Sequence, residues 1–108
     1  MTKTLFDMNQ LFGTTPEERK ATPIYSGCLA YFPRALGAVA RLSYVGNQQH
    51  HPDKPLHWDK SKSTDELDAL IRHLLEGEWD AVAWRALANL ERELEKETTN
   101  EATQNRTH

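Results

Sequence analysis

The feature that most constrains this chain is a run near its C-terminal end, where Trp79, Val82, Ala83, Ala86, Leu87, Leu90 and Leu94 recur at spacings of three and four. That is the period of an α-helix with one apolar stripe, and its alanines let a neighbouring helix approach closely. The stretch from Glu91 to Glu97 reads as the solvated end of the same helix, and residues 98–108 as a disordered polar tail.

A second helix is expected upstream. Ser63-Thr64-Asp65-Glu66 has the form of a capping box, with Ser63 as N-cap and Glu66 three residues on. Beyond it Leu67, Leu70, Ile71, Leu74 and Leu75 share one stripe, Asp65, Asp68, Arg72 and Glu76 share the opposite face, and Gly77 marks an end or a tight bend. A further helix begins at Pro33, a residue suited to the first helical position, and carries Leu36, Val39, Ala40 and Leu42 as far as Gly46. No strand-like alternation of useful length occurs. The expected fold class is therefore all-α, a small bundle of three main helices. Its plan is an N-terminal arm over residues 1–30, a helical domain over 31–97 and the polar tail.

A chain of 108 residues supports one domain, and at 38% hydrophobic residues its core is thin, which favours burial of further surface by oligomerisation. Thirteen Lys and Arg against sixteen Asp and Glu give a net charge of −3, without the basic excess of a general nucleic-acid binder. Cys28 is the single cysteine, so no intrachain disulfide forms and nothing points to an oxidising compartment. The early charges Lys3 and Asp7 argue against a signal peptide, and no run approaches the roughly 20 apolar residues of a membrane span. A cytoplasmic protein with neither membrane nor nucleic-acid partner is expected.

Candidate chemistry gathers in two places. The segment from Asn47 to Lys62, with two prolines and three histidines, reads as a long loop of the kind that is more often functional or disordered than a plain connector. His50, His51 and His57 suggest zinc but lack cysteine partners and the usual spacings. Trp58 with Asp59, Lys60 and Lys62 can form an aromatic and cationic wall over a nucleotide, or Trp58 can plug the core beneath solvated lysines.

On the second helix, Asp65 and Asp68 can aim two carboxylates at one hard cation, with Glu76 further along that face; a solvated face stabilised by the helix dipole fits the same spacing. Arg72 can clamp a phosphate or pair with Asp68, and His73 borders the acidic and apolar faces as a structural or a proton-carrying group. A nucleophilic mechanism would rest on Cys28 alone, whose ordinary role is that of a small buried hydrophobe. Phosphate-binding glycine loops, nucleophile elbows and HExxH pairs are absent.

Taken together, Gln49-His50, Pro52, Pro55-Leu56-His57-Trp58, Lys62-Ser63-Thr64-Asp65-Glu66 and Asp68-Ala69-Leu70-Ile71-Arg72-His73-Leu74 form a string that is followed by Ala83-Trp84-Arg85-Ala86-Leu87-Ala88. This string resembles the bacteriophage dATP/dGTP diphosphohydrolase family, related to the MazG-like all-α nucleotide pyrophosphohydrolases. The likeness runs from about Tyr31 to Leu94, with Pro33-Arg34-Ala35-Leu36 matching the family's first helix.

The resemblance implies metal-dependent hydrolysis of purine deoxynucleoside triphosphates, dGTP or dATP, to the monophosphate and pyrophosphate by a homodimer or homotetramer. Asp65 and Asp68, with Glu76 or Glu78, would hold Mg²⁺ or Mn²⁺. Asp68, Arg72, His73 and Lys62 would carry the catalytic roles, and His50, Trp58, Lys60 and Ser63 would contact substrate. One departure is plain. Relatives usually have a longer connection, rich in Asp and Gly and containing a histidine, where this chain has only Glu76-Gly77-Glu78-Trp79-Asp80. A non-catalytic helical module that binds a nucleotide or a protein partner is the competing expectation.

Overall fold

A computed structural model describes residues 11–60 and 66–107, the stretch 98–107 as backbone only. The described residues form helices and turns with no strand: α1 (Pro16–Lys20), a π-helical turn (Tyr25–Leu29), α2 (Pro33–His50), α3 (Glu66–Leu75) and α4 (Trp79–Thr107). The all-α expectation is met, and no described helix is long and apolar enough to cross a membrane. The chain divides into two units, residues 1–36 and 37–108, with the boundary inside α2.

In the first unit the expected irregular arm contains one short helix. Thr15 caps α1 by accepting from the Glu18 N–H at 3.1 Å, and the Glu18 carboxylate accepts from the Thr14 N–H at 3.1 Å. This reciprocal arrangement satisfies N–H groups that a helix start otherwise leaves open, and Pro16 at the first position has none to satisfy.

In the second unit α2 outruns its expected end. Gly46 keeps helical geometry and the helix continues to His50. What stops it is Asn47 together with Pro52. The Asn47 carbonyl accepts from the His51 N–H at 2.7 Å, its side-chain Nδ2 donates to the carbonyls of Lys54 (3.1 Å) and His51 (3.5 Å), and the ring of Pro52 disfavours helical geometry at the residue before it. The long loop therefore begins at His51 rather than Asn47. Ser63, the expected N-cap of the second helix, lies outside the described residues, as do Lys62 and Asp65.

α3 ends as its sequence predicts. Gly77 takes φ +72°, the Gly77 N–H donates to the Leu74 carbonyl at 3.1 Å and the Glu78 N–H to the His73 carbonyl at 3.0 Å. This is the Schellman pattern, in which a left-handed glycine turns the chain back over the last helical turn. α4 then runs to Thr107, through the segment expected to be a disordered tail. Glu95, Lys96 and Glu97 favour the helix beyond the last leucine, whereas Thr and Asn make up six of the ten residues at 98–107, so local propensity there is weak.

The packing of α3 on α4 departs most from expectation. The apolar stripe of α3 is largely turned outward, with Leu67 63% and Leu75 82% exposed, whereas Ala69 is 2% exposed and the charged Glu66 only 6%. On α4 the buried positions are Ala81 and Ala88, while Leu87, Leu90 and Leu94 remain exposed. Small residues at the seam let the two backbones approach, and the larger side chains flank them. The stripe geometry is that of the sequence; the face that meets the neighbouring helix is different.

Candidate functional site

An open cleft of about 640 Å³ lies within the second unit, within the size range of small-molecule sites. α2 supplies Ser43, Asn47 and His50, the loop supplies His57 and Trp58, α3 supplies His73, and α4 supplies Trp84 and Arg85. The wall is built by specific contacts. The Trp84 indole Nε1–H donates to Ser43 Oγ at 2.7 Å, which ties α4 to α2. The rings of Trp58 and Trp84 meet edge to face with centroids 5.6 Å apart, a favourable geometry for two aromatic quadrupoles.

Cations surround the outer indole. Lys60 Nζ lies 4.9 Å and the Arg92 guanidinium 5.5 Å from the Trp58 ring centroid. Arg92 also donates to the Lys60 carbonyl at 2.9 Å, and Lys60 pairs with Glu95. Together these contacts fasten the loop to α4. They answer the two readings of Trp58 in part: the indole borders the cleft, and Lys60 holds the loop rather than lining the cavity.

Beneath this wall Glu66 forms the most buried ion pair of the described residues. Its Oε2 accepts from Arg85 Nη1 at 3.2 Å, and its Oε1 lies 3.5 Å from Arg92 Nη2. Burial of a carboxylate is tolerable only with such partners. The sequence marks Glu66 as a capping residue, so this role is missed; the signal for it is the pair Arg85 and Arg92, seven residues apart on the inward side of α4.

At the other end of α3, the Schellman turn places Glu78 over His73, and His73 Nδ1 pairs with Glu78 Oε1 at 2.9 Å. The hydrogen bond from His73 holds the Glu78 carboxyl below its ordinary pKa. The contact between the last helical turn and the first residue beyond the glycine, commonly hydrophobic, is polar here. It orients the imidazole at the cleft wall and fixes which nitrogen faces the carboxylate.

The expected site residues are thus dispersed. His50, Trp58 and His73 come together at the cleft. Asp68 and Arg72 lie exposed on α3 and Glu76 lies exposed in the turn after it, and none of the three is among the cleft-lining residues. Glu78 is engaged with His73, and Lys62, Ser63 and Asp65 fall outside the described residues. Among the described residues no three His, Cys, Asp or Glu side chains are placed to hold a metal ion. The described part of the acidic set does not gather into a group of three ligands, and neither do the loop histidines, although the His51 and His57 rings approach to 5.2 Å. Asn47, Trp84 and Arg85 are wall residues the sequence does not single out as such.

No family model, curated protein or solved structure matches the chain.

Proposed function

We propose that this chain is a nucleotide pyrophosphohydrolase of the dATP/dGTP diphosphohydrolase kind, acting on purine deoxynucleoside triphosphates and so adjusting the nucleotide pool of a phage-infected cell. The observation that carries this reading is the cleft, where two indoles and several imidazoles border one cavity of small-molecule size. A flat base stacks on an indole, and imidazole nitrogens can donate to phosphate or accept from water. In this reading Trp58 borders the base, His50 and His73 orient phosphate or water, and Glu78 holds His73 in place. Mg²⁺ or Mn²⁺ belongs to the reading through the resemblance, which gives Asp65 and Asp68 to it, and no step is derived through the ion. The exposed stripe with Leu67 and Leu75 supports association of copies into a dimer or tetramer.

The experiment is pyrophosphate release from dGTP, dATP, dCTP and dTTP with Mg²⁺ or Mn²⁺, beside an Asp68→Ala variant. Release from the purine nucleotides, lost in the variant, supports the hydrolase. The second reading, a non-catalytic binding module, is favoured by the dispersal of the acidic residues. Binding of dGTP without cleavage of any nucleotide would select it.

A further inference from the structure

We infer that the exposed ridge of α3 is a two-fold interface on which a second copy of this chain docks, its own α3 running in the opposite direction; the inference rests on the association of copies proposed above and is independent of the nucleotide chemistry. Leu67, Ile71 and Leu75 recur at spacings of four, the spacing of one ridge on a helix surface, and each is half or more exposed. Leu74 stands exposed beside them.

The core gives the reason for a permanent partner. Among the described residues the buried hydrophobic side chains are Ala69, Ala81 and Ala88, and no large side chain is fully buried. A small chain that buries so little apolar surface by itself is marginally stable, and association is one of the few ways to add to that burial. Such a partner has to be present whenever the chain folds. A second copy meets that condition.

Charge decides which apolar row meets its own copy. Asp68 and Arg72 stand one turn apart along one border of the α3 ridge, exposed and away from the cleft. A two-fold axis at Ile71, perpendicular to the helix, sets Leu67 against Leu75 of the second copy and brings Asp68 beside Arg72 of the second copy. An isologous contact makes each such pair twice, so opposite charges meet at both places. The outer row of α4 behaves differently. Leu87, Leu90 and Leu94 are bordered by Glu91, Glu93 and Glu97, and packing that row on its own copy would bring like charges together.

The test weighs the full chain by sedimentation equilibrium, without nucleotide or divalent ion. The parent should show the mass of an assembly of copies. Asp68→Arg or Arg72→Asp alone sets like charges together at both pairs and should weaken association by about tenfold or more. The two combined exchange the charges and should restore it to within about threefold of the parent. A cysteine at the axis reads the geometry directly: Ile71→Cys in a Cys28→Ser background should oxidise to a disulfide-linked dimer, and Leu90→Cys in that background should not. This readout leaves the charged pair untouched, so unfolding of a charge variant leaves the test intact.

An associated parent whose mass is unmoved by either charge reversal, or crosslinking through Leu90→Cys and not through Ile71→Cys, would overturn this face and leave the association of copies standing. A parent with the mass of a single chain at every concentration would overturn both.

Discussion

His73 and Glu78 are joined twice across the end of α3, once through the Glu78 N–H and the His73 carbonyl at 3.0 Å and once through their side chains at 2.9 Å. One glycine makes both possible. Gly77 sits at φ +72° with open space where a Cβ would stand, so the penalty for a side chain there is conformational rather than steric with a neighbour. Gly77→Ala should lower stability by about 1 kcal/mol, read as a fall of several degrees in Tm. A Tm equal to that of the parent would show that the turn relaxes into another form.

The same pair gives a pH dependence with a definite sign. The Glu78 carboxyl is held below its ordinary pKa by the hydrogen bond from His73. A depressed carboxyl contributes stability above its unfolded pKa and loses it as pH falls through the lower folded value. The stability difference between the parent and Glu78→Gln should therefore be present near neutrality and close on acidification below the usual carboxylate range. Chemical denaturation at a series of pH values checks this, and a difference that grows toward acid would contradict it.

Removing the carboxylate of Glu66 takes a buried charged partner from both Arg85 and Arg92. Glu66→Gln should destabilise the chain by about 1–3 kcal/mol, the scale for a hydrogen bond to a charged group. In a double-mutant cycle with Arg85→Met, the second substitution should cost less once the first is in place. Additive losses would mean that the 3.2 Å contact contributes nothing in solution.

Trp84→Phe retains an aromatic ring against Trp58 but removes the donor to Ser43. We expect a loss of about 1 kcal/mol, together with the smaller packing loss of a reduced ring. With Ser43→Ala already present, the hydrogen-bond part of that loss should be absent.

How much of this was legible in the sequence differs from element to element. The positions of Pro33, Gly77 and the three-four spacing after Trp79 correctly locate two helix starts and one helix end, because each reflects local backbone chemistry. The end of α2 was less legible: Gly46 remains helical because Asn47 closes the turn by reaching forward to Lys54, a contact seven residues away. The inward faces were not legible for a related reason. An apolar stripe records which side of a helix is greasy, while the positions that are buried are Ala69, Ala81 and Ala88, small residues that admit close approach of a neighbouring helix. Of the candidate site, His50, Trp58 and His73 line one cleft, whereas Asn47 and Glu66 stand out by their burial, which no local pattern announces.

Arg85 and Arg92 stand one heptad apart on α4, and Glu66 lies within reach of both. An alanine seam is nearly featureless and would by itself tolerate one helix sliding along the other. A carboxylate that meets two guanidinium groups at once can do so in a single setting, since a slip of one heptad in either direction forfeits one partner. The buried charge thus acts as an index pin, fixing the register of α3 against α4 and with it the height at which His73 faces the indoles.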